Sequence, residues 1–307
     1  MAVLLCSLAF GNKDLGAHEV LAVLGGGGDD HVKSVLESRV PRTLAGLVAG
    51  AGLGVAGVLL QGAVRNPLAD PGLVGVNAGA ASAVVTASAF LGVGGVALVW
   101  AALPGAFAAM VVVVLLGGRG LHPTRLILAG SAITGVAVAY VQAVTLTNPK
   151  VFDAYRSWDL GSLVVTGEQV GRLAWFVGVG LAGAVLLVGR LNLLALGDDT
   201  AHSLGGRPQA TRWATVLLVT LLCGSVTATI GPIVFLGLAV PQLVRAAVGS
   251  DFRLQLPGAV LLGPAVLLAA DIAGRVVARP LEIQVGVMTA LVGAPFLLIA
   301  IRRMSDD

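Results

Sequence analysis

Few side chains in this chain could do chemistry, because charged residues make up only 11% of its 307 positions. The best-placed pair is Asp271 and Arg275, which lie four residues apart in the apolar segment VLLAADIAGRVVARP. This spacing puts both side chains on one face of a helix, one turn apart, where they can form an ion pair. An acid in so apolar a segment could instead act as the proton relay of an ion-coupled carrier. We favour the ion pair and keep the relay as the alternative.

Sequence signatures of catalysis are absent. The chain has no GxxxxGK[ST] loop, so it is not expected to bind ATP through a P-loop. The glycine repeat from Gly50 to Gly57 resembles a dinucleotide fingerprint only superficially, because no strand precedes it. Small residues there are expected to let membrane helices approach closely. No pair of histidines has the spacing of metal ligands. We therefore expect no catalytic residue, no metal site and no cofactor, and the chain is not expected to be an enzyme.

The elements that position these residues are predicted to lie in a membrane. Hydrophobic residues make up 57% of the chain and the mean hydropathy is +0.95, whereas soluble domains average about 45–50% apolar and about 25% charged residues. A spanning helix needs about 20 mostly apolar residues. This rule predicts an all-α, polytopic helical bundle in a membrane, with spans at 43–64, 94–117, 126–147, 172–189, 213–230, 256–278 and 283–301.

Three further apolar segments are too short or too interrupted to be assigned simply. Segments 73–92 and 233–248 contain Gly, Pro or Gln and are predicted to be short or tilted spans. Residues 2–10 are apolar but cannot cross a bilayer, and we interpret them as the remnant of a first span whose beginning is missing. The prediction is thus a single transmembrane domain, 1–307, with nine spans and a remnant.

The distribution of Lys and Arg orients the chain only weakly. With the C-terminus in the cytoplasm, ten of the 19 basic residues fall on the cytoplasmic side and nine on the outer side. Such a near-tie departs from the usual excess of cytoplasmic positive charge. Outer arginines therefore need a reason, and an acidic partner outside the membrane would provide one.

Interruptions of the apolar pattern occur at specific places and in a specific order. The longest is RVPRTLAGLVAGAGLGVAGVLLQGAVRNPLADPGLVGVNAGA, residues 39–80, in which Asn66-Pro67 ends a helix because the residue before proline avoids the α region. It is followed by SWDLGSL (157–163), ALGDDTAHSLG (195–205), GPIVFLGLAVPQLVR (231–245) and LLAADIAGRVVARPLEIQVGVMTALVGAPF (267–296). Together these motifs resemble the FecCD-type membrane permeases of ABC importers, which take up iron–siderophores, haem or cobalamin.

The resemblance covers nearly the whole chain and departs from the family at two points. The family usually has ten spans, whereas the first one here is reduced to about ten residues. It also commonly has His where this chain has Gln242, a side chain that we expect to pack or hydrogen-bond near the cytoplasmic side.

The resemblance implies a division of labour between subunits. Two permease subunits, identical or different, would enclose one translocation path, and two ABC ATPase subunits would bind their cytoplasmic face. A soluble binding protein would deliver the cargo outside the membrane, and no nucleic acid would be involved. The missing P-loop agrees with this arrangement.

The resemblance also implies roles for particular residues. Arg39, Arg42 and Arg275 match positions that receive acidic residues of the binding protein, and a guanidinium can hold a carboxylate through two hydrogen bonds. Asn66 and Leu68 would form the cytoplasmic gate. In the cytoplasmic loop 190–212, a coupling helix that contacts the ATPase would include Leu196, Gly197, Asp198 and Asp199, where glycine and then two acids indicate a helix start.

Simpler alternatives remain open at each position. The outer arginines could only anchor a helix at the interface, Asn66-Pro67 could only stop a helix, and 190–212 could be an ordinary solvated loop. An ion-coupled secondary carrier, which would depend on Asp271, and a scaffold or receptor membrane subunit remain as alternative functions. Iron–siderophore is the expected cargo because it is the commonest in the family; the sequence does not identify the chelate.

Overall fold

The computed structural model describes residues 2–9, 27, 30–94, 97–118 and 123–306, and these residues form no strand. The predicted all-α class is confirmed. In chain order the α-helices are α1 (Ala2–Ala9), α2 (Asp30–Val64), α3 (Val76–Phe90), α4 (Leu98–Gly117), α5 (Pro123–Thr147), α6 (Pro149–Asp159), α7 (Gly167–Ala195), α8 (Asp198–Ser203), α9 (Pro208–Ile230), α10 (Leu236–Val248), α11 (Phe252–Val277) and α12 (Val285–Asp306), with a 3₁₀ turn at Pro71–Val74 before α3.

Six of the described helices are long and apolar enough to cross a membrane: α2, α4, α5, α7, α9 and α11. The apolar parts of α3, α10 and α12 are shorter than these six helices. Short helices were predicted for α3 and α10, which correspond to the interrupted segments 73–92 and 233–248. Neither the predicted nine spans nor the family's usual ten is therefore confirmed in the described residues. Helix α2 begins at Asp30, well before the predicted 43, because its charged first turns stay helical although they lower the hydropathy.

Helix α2 lies at the centre of the bundle, where α11, α7, α9 and α10 pack around it. Its glycines make this possible. A Cβ on Gly50 would overlap the backbone of Gly263 and Pro264 in α11, and a Cβ on Gly57 would overlap the carbonyl of Gly237 in α10. The predicted packing role of the Gly50–Gly57 repeat is confirmed.

Charged side chains gather at two places along α2: around Arg42, about three turns after the helix begins, and around its last turn. One group, the Arg42 end, contains Arg42, Asp271, Arg275 and Glu282. The other, the Asn66 end, contains Arg65, Asn66, Asp198 and Arg212. Arg42 and Arg65 belong to the same helix, and at about 1.5 Å per residue they lie about 35 Å apart along its axis.

Candidate functional site

Two consecutive turns follow the end of α2, as the pairs Asn66-Pro67 and Asp70-Pro71 predict. The amide of Leu68 donates to Oδ1 of Asn66 at 2.9 Å, and the amide of Ala69 donates to the Asn66 carbonyl at 3.1 Å. Asp70 then caps the 3₁₀ turn by accepting from the amide of Gly72 at 2.7 Å. Side-chain hydrogen bonds of Asn and Asp to nearby backbone amides stabilise such turns. The interruption of the apolar pattern is therefore a loop with a defined, hydrogen-bonded conformation.

Helix α10 fixes this loop from the side. Nε2 of Gln242 donates to the carbonyl of Pro67 at 3.0 Å, which confirms the expected hydrogen bond of this side chain near the predicted gate. Gln61, buried in the last turns of α2, donates to the carbonyls of Gly237 and Leu238, both at 3.3 Å. Both glutamines therefore join the end of α2 and its turn to α10.

The predicted helix start at Asp198 is confirmed by α8. Gly197 precedes it with φ of 107°, a backbone conformation that only glycine adopts readily. Asp198 and Asp199 occupy the first turn, where acids are favoured by the helix dipole. The helix ends where the amide of Gly206 donates to the carbonyl of Ala201 at 2.7 Å.

Two guanidinium groups connect α8 to the rest of the Asn66 end. Arg212, in α9, holds both carboxylate oxygens of Asp198 at 2.8 Å, and its Nε donates to the carbonyl of Ala63 in α2 at 3.2 Å. Arg65 directly precedes Asn66 in the chain and has a backbone φ of 52°. Its Nη2 lies 3.2 Å from Oδ1 of Asp198. The first turn of α8 is therefore linked by charge to the residue that precedes the Asn66-Pro67 turn.

Two cavities adjoin the turn that contains Leu68 and the 3₁₀ turn after it. The first, of about 250 Å³, is lined by Leu68, Ala69 and Asp70 together with residues of α2 and α5, including Thr134. The second, of about 500 Å³, begins at Gly72 and is also lined by Thr134. Residues of α3, α5, α6 and α12 also line this second cavity, which we name the Asp159 cavity after its charged residue.

Asp159 is the last residue of α6, a short helix that the hydropathy pattern did not predict. Tyr155 lies one turn earlier on the same helix and lines the same cavity. The Asp159 side chain remains exposed, and partial removal from water raises its pKa. Burial likewise raises the pKa of the Tyr155 hydroxyl.

The Arg42 end confirms the predicted ion pair and adds a second cation to it. Arg275 lies 2.9 Å from Asp271, and both side chains are almost fully buried, at 2% and 1% exposure. Arg42, from α2, holds the same carboxylate at 2.7 Å and reaches Glu282 at 2.8 Å. Asp271 is thus compensated by two guanidinium groups.

The other predicted docking arginine, Arg39, donates hydrogen bonds to the end of α1, as Arg275 also does. Arg39 donates to the carbonyls of Leu8 and Ala9, at 2.7 and 3.0 Å, and Arg275 donates to the Ser7 carbonyl at 3.0 Å. These carbonyls end α1 and have no partner within that helix. Arg39 and Arg275 are buried against α1, and Arg42, with 13% side-chain exposure, is the most exposed of the three predicted docking arginines.

Sequence reasoning did not single out several residues of these groups. Asp159 lies inside the SWDLGSL motif, where a charged residue among mostly apolar ones could have marked it as a candidate site residue. No local signal identifies Arg65, Arg212 or Glu282 as partners, since their contacts join distant segments.

Comparisons with known proteins agree with this fold and arrangement. Residues 1–303 match the model of the FecCD transport family. The chain is 44% identical to the ferric enterobactin transport system permease protein FepD of Escherichia coli, over 97% of this chain and 90% of FepD. It is 34% identical to the hemin transport system permease protein HmuU of Yersinia pestis, over 100% of this chain and 95% of HmuU.

A solved structure of a metal-chelate type ABC transporter in an inward-facing conformation is also similar. Its TM-score is 0.86 at 28% identity, covering 98% of this chain and 95% of the solved one. A multi-pass permease fold and a family match over nearly the whole chain define a membrane transport protein of the ABC importer class. The chain belongs to the FecCD transport family. It is a transport permease and not an enzyme.

Proposed function

We propose that this chain forms half of the translocation path through which an ABC importer takes up an iron–siderophore. The observation that carries the proposal is the identity of 44% with a ferric enterobactin permease across 97% of the chain. Relatives named for other ferric chelates and for hemin support the same class of cargo. A second permease subunit would complete the path, and a binding protein outside the membrane would deliver the chelate.

Two cytoplasmic ATPase subunits would supply the energy, since the sequence has no P-loop. Helix α8 and the residues before it would form the contact. Leu196 is 59% exposed and lies beside Gly197, Asp198 and Asp199. The apolar side chain of Leu196 and the exposed carboxylate of Asp199 are therefore available to a partner, while Asp198 is held by Arg65 and Arg212. The links from Asp198 to Arg65 and Arg212 support transmission from this contact toward Asn66, since they join α8 to the end of α2.

The cytoplasmic gate would be the loop that contains Asn66 and Leu68. Its support is the position of Leu68 in the wall of the 250 Å³ cavity and the rigid turn made by Asn66. Movement of Arg65 with Asp198 would displace this turn, because Asn66 is the next residue. The hydrogen bond from Gln242 to Pro67 would hold the loop in its present position.

The binding protein would dock at the Arg42 end. Arg42 and Glu282 carry exposed edges there, whereas Arg39 and Arg275 would hold α1 and α11 in place beneath that surface. The guanidinium of Arg42 would meet a carboxylate of the binding protein. An ion-coupled carrier is disfavoured as an alternative, because the relatives and the similar structure are ABC transporter permeases.

The proposal is tested by reconstitution into lipid vesicles. The chain is assembled with an ABC ATPase and a siderophore-binding protein from the same genome, and uptake of ⁵⁵Fe-labelled siderophore is measured with and without ATP. We expect uptake only with ATP and all subunits, and no nucleotide binding by the purified chain alone. Uptake by the chain alone, driven by a proton or sodium gradient, would contradict the proposal.

A further inference from the structure

A third cavity adjoins the Asn66-Pro67 turn, and we name it the Arg245 cavity. Its wall comes mainly from the last turns of α2, α7 and α10 and the first turn of α11. Three of these helices, α2, α7 and α11, are long and apolar enough to cross a membrane. A cavity at their ends therefore lies near the level of the lipid headgroups, at the edge of the hydrocarbon. Its volume is about 220 Å³, which is room for several water molecules at about 30 Å³ each.

Two guanidinium groups line this cavity, and no acid is among the described residues of its wall. Arg65 is held from outside the cavity by Asp198. Arg245 takes part in none of the ion pairs of the described residues, and its buried Nε has no acceptor among them. A buried donor without a partner costs free energy, and two cations in one wall repel each other. An anion that entered the cavity would offset both costs.

Two buried glutamines in the same wall lack the opposite kind of partner. Gln61 is 1% exposed and Gln255 is 0% exposed. The amide nitrogen of Gln61 donates to the carbonyls of Gly237 and Leu238, and that of Gln255 donates to the carbonyl of Gly249. These bonds fix the orientation of both amides, and each Oε1 is left without a donor in the described part of the chain. Buried acceptors normally have a donor, so the wall lacks an N–H or O–H donor as well as an anion.

We propose that the Arg245 cavity binds an aminophosphate group, as in the headgroup of phosphatidylethanolamine. Its phosphate would lie at Arg65 and Arg245, because phosphate oxygens accept paired hydrogen bonds from guanidinium groups. Its ammonium, which has three N–H donors, would lie at Gln61 and Gln255. A phosphate alone would leave both glutamine oxygens unpaired, and an amine alone would leave Arg245 without an acceptor. Free phosphoethanolamine has the same chemistry, and the position at the helix ends favours the lipid.

A bound headgroup would connect two helices that meet beside the turn. Arg65 directly follows α2 and precedes Asn66, whereas Arg245 lies in the last turn of α10. A phosphate between them would add to the hydrogen bond that Gln242 of α10 makes with Pro67. The site does not depend on the proposed transport function, because its residues and their missing partners are features of the fold alone.

Native mass spectrometry of the full chain released from lipid nanodiscs tests the lipid as the ligand. The nanodiscs contain equal amounts of phosphatidylethanolamine, phosphatidylcholine and phosphatidylglycerol with the same acyl chains, and the mass identifies each lipid that stays bound. We expect phosphatidylethanolamine to be retained about tenfold more often than phosphatidylcholine, whose quaternary ammonium has no N–H to donate. Phosphatidylglycerol, which has no ammonium, should be retained no better than phosphatidylcholine.

Calorimetric titration of the chain in detergent, without phospholipid, tests free O-phosphoethanolamine. Saturable binding of this compound without retention of lipid would identify a soluble aminophosphate as the ligand. Retention of phosphatidylethanolamine without binding of the free compound would identify the membrane lipid. Binding in neither experiment would overturn the proposal and leave the cavity to water.

Variants of the wall relate the binding to its residues. Arg245→Gln should lower retention or affinity by about tenfold, as the loss of charge-assisted hydrogen bonds allows, and Arg245→Lys should lower it less. Gln61→Met removes one acceptor and should reduce the preference for phosphatidylethanolamine over phosphatidylcholine. Arg190→Gln is the matched control, because it removes an exposed arginine from the same end of α7 outside the cavity and should change neither.

Three further results would overturn the inference: equal retention of all three lipids, binding that is unchanged in Arg245→Gln, or an equal loss in Arg190→Gln. Gel filtration and thermal unfolding verify that each variant is folded, and Arg245→Lys provides a second test if Arg245→Gln is not. The experiments use neither ATP nor partner subunits. Their failure would therefore leave ATP-driven import intact, and failure of ATP-driven import would leave the binding result intact.

Discussion

Arg212 holds Asp198 through two hydrogen bonds of 2.8 Å and, through Nε, also holds the carbonyl of Ala63 in α2. One side chain thus joins the first turn of α8 to the last turns of α2. Paired N–H donors on a carboxylate fix geometry as well as charge. A displacement of α8 would therefore be transmitted to the residues next to the Asn66-Pro67 turn.

Replacing Arg212 with Ala should uncouple ATP hydrolysis from transport. We expect stimulation of the ATPase by the loaded binding protein to fall by at least about tenfold, which corresponds to about 1.4 kcal/mol, while the subunits remain assembled. Arg207→Ala removes an exposed arginine from the same loop and serves as the control. Normal stimulation in Arg212→Ala would show that this link does not transmit the signal.

Loss of the Gln242 hydrogen bond should loosen the gate. Gln242→Ala leaves the Pro67 carbonyl without its donor, and a net hydrogen bond of about 1 kcal/mol corresponds to about fivefold in an equilibrium. We expect leakage of labelled chelate from preloaded vesicles, without ATP, to rise by about that factor. Gln242→His retains a donor and should leak less than Gln242→Ala. Equal leakage from all three proteins would argue against a role in gating.

Removing the charge of Asp271 should destabilise the fold. Asp271→Asn leaves Arg42 and Arg275 without their shared carboxylate, and removing one member of a buried ion pair costs about 3–5 kcal/mol. Glu168→Gln is the control, because Glu168 and Arg172 form a pair with the same four-residue spacing but on the surface, where such pairs contribute about 0.3–0.5 kcal/mol. Thermal unfolding in detergent measures both variants, and equal shifts would contradict the assigned burial.

Reversing Arg42 should weaken docking of the binding protein. Arg42→Glu would place a third carboxylate beside Asp271 and Glu282 and would repel acids of the partner. In the wild type, affinity should fall as salt rises, because the screening length shortens to about 3 Å at 1 M. Affinity is measured by surface plasmon resonance on nanodiscs.

A charge-swapped binding protein separates lost docking from lost folding in this experiment. If Arg42→Glu acts on docking, a lysine in place of the partner's carboxylate should restore part of the affinity. If Arg42→Glu binds normally at low salt, Arg42 acts only inside its own chain, through Asp271.

The sequence by itself determined the class of fold, most of the helices and the local pieces of the site. Hydropathy predicted the six described helices that are long and apolar enough to cross a membrane. Gly197 and the acids after it predicted the start of α8, and Asp271 and Arg275 were predicted to pair. Each of these signals involves residues close together in the chain, within one helical turn or one apolar segment. Such local signals can be read from the sequence without knowledge of the tertiary structure.

Only the tertiary structure decided which distant side chains meet. Arg42 reaches Asp271 across 229 positions of the chain, and Gln242 reaches Pro67 across 175. Burial of Arg275 and the shared wall of the Asp159 cavity likewise depend on how α11 packs on α2 and how α6 and α12 face each other. Such contacts follow from the angles at which helices cross, and these angles depend on the close fit of side chains and glycines along the whole interface.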